Sequence, residues 1–318
     1  MNLLLIAAVL IAAALLALYF HGRAYARRVE ARWPPIGRFV EVDGVRLHII
    51  ERGRADAPPI LFLHGATANA REFLNFTAAL EADYRVLIID RPGYGYSERP
   101  RRSERLAVQA RLLAHALERE SEGPALIVCH SLGCASGLRI AVERPDLVDG
   151  LVLISPASHP YPWPNAWWAR LAAAPLIGPL FCATLVPAIA PSASRSAIRN
   201  TFHPAQPTQD YVEDGGVGLA FRAGAFRASA RDVVATKREF ITQAPLYTQI
   251  DAPAVIVTAD KDRVVSPRIH AQALARDIPT AELITLPGAG HMPHRVRPDA
   301  ILASIHRVQE IGAARRAD

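Results

Sequence analysis

The chain has 318 residues, of which 51% are apolar and 21% charged, so it is not an intrinsically disordered protein and is long enough for one large α/β domain. Its formal charge of +6 comes mostly from scattered arginines, with no basic run interleaved with aromatic residues, so we expect no nucleic-acid partner. Three cysteines without a CxxC pair suggest neither a disulfide framework nor a zinc site.

An apolar segment without charge, Leu3 to Phe20, lies near the start of the sequence. As a helix it would cover about 27 Å, close to the thickness of the hydrocarbon core of a bilayer. Arginines follow this segment, and the positive-inside rule then places the rest of the chain in the cytoplasm. We predict a single-pass membrane anchor over residues 1–22 and a linker over 23–36. A cleaved signal peptide, giving a secreted or periplasmic protein, is the alternative, although no small-residue cleavage site precedes the arginines.

Short β-rich runs alternate with helical patterns through most of the remaining chain. Asp43-Gly44 between the first two runs indicates a hairpin, and the later continuous apolar runs are typical of buried parallel strands. This alternation predicts an α/β fold with a mostly parallel sheet and helices on both faces. The predicted strands are Phe39–Val42, Val45–Glu51, Ile60–Leu63, Arg85–Ile89, Ala125–Cys129, Leu151–Ile154, Ala254–Thr258 and Leu283–Leu286. The predicted helices are Ala70–Glu81, Glu104–Glu120, Leu132–Glu143 and Arg268–Arg276.

One stretch, residues 156–245, interrupts this alternation. It contains no clear strand, is rich in Pro, Trp and Ala, and is too long for a loop. We expect a helical cap inserted into a core made of residues 37–155 and 246–312. Trp163 and Trp167 are candidates for lining an apolar substrate channel, and the alternative is that they belong to the cap's own core.

The central chemical signal is His130-Ser131-Leu132-Gly133, which follows the apolar run ending at Cys129. A serine on a tight turn between a buried strand and a helix exposes its hydroxyl above the sheet. The Leu132 N–H then lies at the helix N-terminus, where it can stabilise an oxyanion. We predict Ser131 as a nucleophile.

This turn and further motifs resemble those of the α/β-hydrolase family. The family turn is usually G-x-S-x-G, and here Cys129 replaces the first glycine. His64-Gly65-Ala66-Thr67 resembles the family's oxyanion loop, and residues 90–97 resemble its D-x-P-G-x-G-x-S loop. The resemblance implies that the Ala66 and Leu132 N–H groups form an oxyanion hole. It also implies that His64 and His130 line or support the substrate pocket.

A serine nucleophile needs a base, and the base needs an orienting carboxylate. The family order along the chain is serine, acid, histidine. After the strand Ala254–Thr258, the segment up to Val265 resembles the family pattern G-x-x-D-x-x-V with Asp262 as the acid, and Asp260 is the rival. The segment Gly288-Ala289-Gly290-His291 resembles the histidine loop and identifies His291 as the base, with His294 as a second histidine nearby.

These residues predict a serine hydrolase that cleaves an acyl ester without a metal or cofactor. An anchor beside an apolar cap favours a small acyl substrate that is lipid-like or hydrophobic. Amidases, peptidases and peroxidase-like family members keep the same three residues and are alternatives. A non-catalytic, membrane-anchored binding or scaffold protein is the alternative of another class.

Overall fold

An eight-stranded sheet forms the centre of the protein in a computed structural model, which describes residues 3–161, 167–208 and 211–317. The strand order is β1-β2-β4-β3-β5-β6-β7-β8. The first two strands form an antiparallel hairpin, β2 pairs antiparallel with β4, and all the other pairs are parallel. The strands are β1 Arg38–Val42, β2 Val45–Gly53, β3 Pro59–Leu63, β4 Arg85–Ile89, β5 Ala125–His130, β6 Val148–Ile154, β7 Ala254–Ala259 and β8 Ala281–Leu286.

The described α-helices are α1 Leu3–Arg32, α2 Leu74–Thr77, α3 Leu106–Glu120, α4 Gly133–Glu143, α5 Trp167–Ala173, α6 Ile177–Phe202, α7 Tyr211–Asp214, α8 Ala223–Gln243, α9 Ala271–Asp277, α10 Pro293–Val296 and α11 Pro298–Ala317. The helix predicted over Ala70–Glu81 is divided into a 3-10 turn, the short α2 and a second 3-10 turn. Helices α5 to α8 all lie within residues 156–245, hereafter the insertion.

The core lies on both faces of the sheet because successive side chains of a strand point to opposite faces. In β3, Leu61 and Leu63 pack with α3, α4 and α9, whereas Ile60 and Phe62 pack with the 70–80 segment and α11. All four side chains are fully buried. The continuous apolar strands predicted from the sequence are therefore strands covered on both sides.

The N-terminal helix α1 is continuous to Arg32, so residues 23–32 of the expected linker are helical. The cause is packing against the insertion: Gly22 and Val29 are buried, and the Tyr25 hydroxyl donates to the Gly218 carbonyl at 2.9 Å.

Within the described chain, α1 and α6 are long and apolar enough to cross a membrane. Signal sequences and the core helices of soluble proteins share this length and composition.

Candidate active site

Ser131 lies on a sharp turn between β5 and α4, at the carboxyl edge of the sheet. Its φ of 52° falls in the left-handed region, which costs a non-glycine residue on the order of 1–3 kcal/mol. The Ser131 N–H donates to the Ile154 carbonyl at 2.9 Å, and the Ala157 N–H donates to the Ser131 carbonyl at 3.1 Å. Because both partners lie at the end of the neighbouring strand β6, the sheet itself holds the serine in this conformation.

Small residues let this turn approach its neighbours closely. A Cβ on Gly133 would lie 2.4 Å from the Leu63 carbonyl oxygen, so no side chain fits there. Cys129 stands where the family usually has glycine, and a Cβ on Gly137 would lie 3.2 Å from its Sγ. A glycine one turn into α4 therefore accommodates the thiol, and the strand-to-helix turn keeps its shape.

Ser131, His291 and Asp262 form a continuous hydrogen-bonded line. The His291 Nε2 lies 3.0 Å from the Ser131 Oγ, and the His291 Nδ1 lies 2.7 Å from the Asp262 Oδ2. The three residues follow β5, β8 and β7, whose parallel strands end at the same edge of the sheet. The fold thus brings together the residues predicted as nucleophile, base and acid. In this geometry the imidazole can accept the serine proton at Nε2 while its Nδ1–H donates to the carboxylate.

Asp262 is a buried carboxylate whose side chain has no exposed surface. Its Oδ1 accepts hydrogen bonds from the Val264 and Val265 N–H groups at 2.8 and 2.9 Å. Burial alone would raise the pKa of Asp262, but the charge and hydrogen bond of His291 and the two N–H groups hold it below its ordinary value. The carboxylate is therefore ionised at neutral pH and can stabilise a charged imidazole.

The two rival residues have other partners. The Asp260 Oδ1 accepts a hydrogen bond from the Gly288 N–H at 2.7 Å. His294 is buried, and its Nε2 lies 3.3 Å from the Glu72 Oε1. Neither rival side chain belongs to the line that ends at Ser131.

The loop after β3, which carries Ala66, lies against the serine. A Cβ on Gly65 would lie 3.2 Å from the Ser131 Cβ, so glycine is what lets the loop come this close. Within the described part of the chain, the Ala66 and Leu132 N–H groups donate to no backbone or side-chain acceptor. Two unused N–H groups beside a serine hydroxyl are the donors that a tetrahedral oxyanion requires.

Arg91 fixes the conformation of this loop. Its guanidinium is fully buried and donates to the His64 and Gly65 carbonyl oxygens at 2.9 and 3.1 Å, and to the Gln109 Oε1 at 2.9 Å. These bonds hold two successive carbonyls in one orientation and so fix the peptide that leads to Ala66. The motif over residues 90–97 indicated a structural loop but not this contact.

The insertion reaches the same loop through α8. The Thr67 N–H donates to the Ser229 Oγ at 3.1 Å. One turn after Ser229 in α8, the buried Asp232 side chain accepts hydrogen bonds from Tyr94, Arg99 and Gln109. The loop is therefore held by the core on one side and by the insertion on the other. Sequence reasoning missed Ser229 and Asp232 because they lie in a helical pattern without a recognisable motif.

A second polar cluster, formed by Glu72, His130 and His294, is buried beside the nucleophile turn. It places three potential metal-ligand atoms within 4.8 Å of one another. The His130 Nδ1 lies only 2.5 Å from the Glu72 Oε1, whereas two ligands of one tetrahedral zinc ion would be about 3.3 Å apart. A proton between Glu72 and His130 fits this separation better than a metal ion does.

The electrostatics of the cluster agree with a carboxylate–imidazolium pair. Burial alone would raise the pKa of Glu72, but the charges and hydrogen bonds of His130 and His294 hold it well below its ordinary value. Burial alone would lower the pKa of His130, but Glu72 raises it. The His130 Nε2 donates to the His291 carbonyl at 2.9 Å, so this pair holds the backbone of the histidine loop. Nothing in the sequence around Glu72 indicated such a partner.

The resemblance implies that His64 and His130 line or support the pocket, and in the structure both side chains support the loops beside Ser131. His64 is fully buried, with its Nδ1 2.9 Å from the Gly65 carbonyl and its Nε2 accepting from the Arg91 N–H at 3.0 Å. The two ring nitrogens of His130 contact the Glu72 carboxylate and the His291 carbonyl. Neither ring has a nitrogen left for a substrate.

The two candidate tryptophans give no support for an apolar channel. Trp167 is 67% exposed at the start of α5, which places it on the surface of the insertion instead of in a pocket. Trp163 lies outside the described residues.

The fold and this site agree with comparisons with known proteins. The model of the alpha/beta hydrolase family matches residues 60–304, and the chain belongs to this family. It is 26% identical over 279 residues to 2-(acetamidomethylene)succinate hydrolase of Mesorhizobium japonicum, covering 85% of this chain and 94% of that protein.

Solved structures of low sequence identity show the same fold. An esterase from Exiguobacterium antarcticum superimposes with a TM-score of 0.70 at 18% identity, covering 86% of this chain and 100% of that one. A bacterial membrane phospholipase A superimposes with a TM-score of 0.67 at 22% identity, covering 96% of this chain and 98% of that one. The family and these relatives make this chain a hydrolase.

Proposed function

We propose that this protein is a serine hydrolase that cleaves acyl esters, and the continuous line from Ser131 to Asp262 carries the proposal. The Ser131 Oγ attacks the acyl carbonyl while the His291 Nε2 takes its proton and Asp262 stabilises the imidazolium. The Leu132 and Ala66 N–H groups hold the oxyanion. The imidazolium then protonates the departing alcohol, leaving an acyl-enzyme. Water gives a proton to the imidazole and attacks the acyl-enzyme, and the imidazolium returns a proton to the Ser131 Oγ as the acid is released.

The decisive experiment combines active-site labelling with a substrate panel. We expect the full-length protein in detergent to react with a fluorophosphonate probe and to hydrolyse p-nitrophenyl esters. Ser131→Ala should lose both activities, whereas the control Ser136→Ala, another buried serine close by, should keep both. A chain that never reacts with the probe and cleaves no ester, amide or acylglycerol would be the non-catalytic scaffold.

Two catalytic alternatives use the same three residues and are separated by the same panel. Cleavage of aryl amides or peptides faster than of matched esters would identify an amidase or peptidase. Formation of a peracid from a carboxylic acid and hydrogen peroxide, dependent on Ser131, would identify a peroxidase-like member. We expect the matched esters to be the fastest substrates.

We also propose that α1 anchors the protein in a membrane and that the acyl substrate is hydrophobic. Residues 3–14 of α1 are all exposed, and apolar surface of this extent is stable in a lipid environment. A membrane phospholipase A has a similar structure over 96% of this chain. The test is a series of p-nitrophenyl esters of increasing chain length, for which we expect activity to rise beyond acetyl. A preference for acetyl would count against a lipid-like substrate.

We further propose that the catalytic part lies in the cytoplasm, because the arginines that follow the apolar segment favour that side by the positive-inside rule. C-terminal fusions test this proposal directly. We expect a green fluorescent protein fusion to be bright and an alkaline phosphatase fusion to be inactive. The opposite pattern would indicate a periplasmic protein, and release of the mature chain from membranes would indicate a cleaved signal peptide.

A further inference from the structure

The least exposed residues of α1 form one stripe that continues into its apolar half. Leu15, Leu18, Gly22, Tyr25 and Val29 are buried or half-buried and recur at alternating intervals of three and four, the spacing of one helix face. A Cβ on Gly22 would lie 2.2 Å from the carbonyl oxygen of Ala183 in α6. The backbones of α1 and α6 are therefore in close contact at this point.

The two helices run in the same general direction. At its carboxyl end α1 leads to Trp33, whose Nε1 donates to the Glu213 carbonyl at 2.7 Å in α7. Tyr211, in the same short helix, stacks edge-on against Phe202, the last residue of α6, with 4.8 Å between ring centroids. The carboxyl ends of α1 and α6 therefore meet at α7. It follows that the amino-terminal part of α6 lies on the side of the Leu15–Leu18 turn.

This end of the insertion carries exposed apolar side chains. Leu176 is 89% exposed, Ile177 56% and Leu180 48%. No charged residue occurs between Arg170 and Arg195. Water is a poor solvent for such a surface, which is typical of a contact with a partner or a lipid.

We propose that Leu176, Ile177 and Leu180 form a docking surface for the same lipid bilayer that α1 enters. The inference rests on the proposed membrane anchor and is independent of the catalytic chemistry. Its basis is continuity: α1 is packed against α6, so inserting the apolar half of α1 brings the amino-terminal end of α6 to the membrane. The uncharged segment then enters the interface with its exposed leucine and isoleucine side chains, which are stable at the boundary between water and acyl chains.

Docking at this surface orients the catalytic centre relative to the membrane. The opposite end of α6 contacts the histidine loop, because the His291 N–H donates to the Thr201 carbonyl at 3.1 Å. A Cβ on Gly290 would lie 2.1 Å from the His203 carbonyl oxygen, which leaves no room between helix end and loop. One helix therefore connects the docking surface to the backbone of the proposed base.

Site-specific fluorescence quenching tests the surface without using enzymatic activity. Ile177→Cys and Ile241→Cys provide matched positions, since both isoleucines are 56% exposed, one in α6 and the other in α8. The three native cysteines are buried. Each full-length variant is labelled with bimane and reconstituted into phosphatidylcholine–phosphatidylglycerol vesicles, with iodide as the aqueous quencher and nitroxide-labelled lipid as the membrane quencher.

We expect the label at position 177 to be quenched by the lipid nitroxide and protected from iodide, and the label at 241 to behave in the opposite way. If the protein floats with the vesicles and iodide quenches both labels equally, the docking surface is contradicted and the proposed anchor is not. Protection of position 177 from both quenchers overturns it in favour of contact with another copy of the chain. A protein that does not float with vesicles overturns the anchor and the docking surface together.

Discussion

The carboxyl edge of the sheet and the insertion place their apolar side chains in opposite ways. In β3 every side chain from Ile60 to Leu63 is fully buried, whereas Leu176 and Ile177 at the start of α6 are mostly exposed. The sheet edge is complete within the chain and supplies a preorganised site. The insertion instead presents an exposed apolar surface that is suited to contact with lipid. We therefore expect changes at the sheet edge to affect chemistry and stability, and changes in the insertion to affect substrate access and membrane contact.

The largest effect on the chemistry of the sheet edge is expected from Asp262→Asn. The amide cannot stabilise the imidazolium, and it can donate to Nδ1 and leave the imidazole in the wrong tautomer, so kcat should fall about 10⁴-fold. Steady-state kinetics on a p-nitrophenyl ester measure this loss. Asp260→Asn is the matched control and should change kcat little, because the partners of Asp260 are the Gly288 N–H and the Lys261 ammonium, neither of which belongs to the line ending at Ser131. Equal losses in the two variants would contradict the assignment of Asp262.

Glu72→Gln tests whether the buried cluster supports the sheet edge. The variant removes the charge that raises the pKa of His130, and breaking one side of a buried ion pair costs about 3 kcal/mol or more. We expect the free energy of unfolding in detergent to fall by this amount and kcat to fall with it, because His130 holds the His291 carbonyl. Glu122→Gln, at an exposed position, is the control. If a zinc chelator leaves the free energy of unfolding of the unsubstituted protein unchanged, this result would agree with a proton, and not a metal ion, between Glu72 and His130.

Acidification should destabilise the core through its buried neutral histidines. Burial lowers the pKa of His64, His270 and His294 to about 4. Between pH 6.5 and 4, these histidines bind protons in the unfolded chain but not in the folded chain. The free energy of unfolding therefore decreases as the pH falls through this window, by on the order of 1 kcal/mol per pH unit for each histidine. Chemical denaturation at several pH values measures the slope. His294→Gln should reduce it, and exposed His306→Gln should not.

The contact between Cys129 and Gly137 predicts a smaller, coupled effect. Gly137→Ala places a methyl group 3.2 Å from the Cys129 Sγ, and this overpacking opposes the roughly 1 kcal/mol of helix propensity gained by replacing glycine with alanine. Cys129→Ala removes the thiol, so the double variant should be more stable than the sum of the single effects, by about 0.5 kcal/mol or more. Unfolding free energies of the four proteins give the coupling. Strict additivity would show that helix and strand adjust independently.

The smallest effect is expected where core and insertion meet. Ser229→Ala removes the acceptor for the Thr67 N–H, a bond of about 1 kcal/mol. We expect a several-fold lower kcat, because the loop that carries Ala66 gains freedom, and a loss of about 1 kcal/mol in the free energy of unfolding. Ser192→Ala is the control, since its hydroxyl bonds only within α6. A full loss of activity would mean that the insertion takes part in the chemistry more directly than its contacts indicate.

Much of the sheet edge could be predicted because its signals are local. The apolar runs indicated the strands, and the residues after them indicated Ser131, Asp262 and His291, which the fold brings into one line. The supporting residues Glu72, Arg91, Ser229 and Asp232 could not be predicted. Each meets a partner distant in sequence, and a buried charge in an ordinary pattern gives no sign of which partner neutralises it.

The sequence by itself determined the order of strands and helices, the nucleophile turn and the apolar N-terminal segment, because hydrophobic periodicity and turn chemistry act over a few residues. Only the tertiary structure decided that His64 and His130 are internal supports, that α1 continues to Arg32, and that one face of α1 aligns α6 with the predicted anchor. Those outcomes depend on burial and on contacts outside any local motif, such as His64 with Arg91, His130 with His291 and Gly22 with Ala183. In the strand-to-helix turn, both levels meet: local sequence placed Ser131 there, and the distant strand β6 holds its backbone in the conformation that the reaction needs.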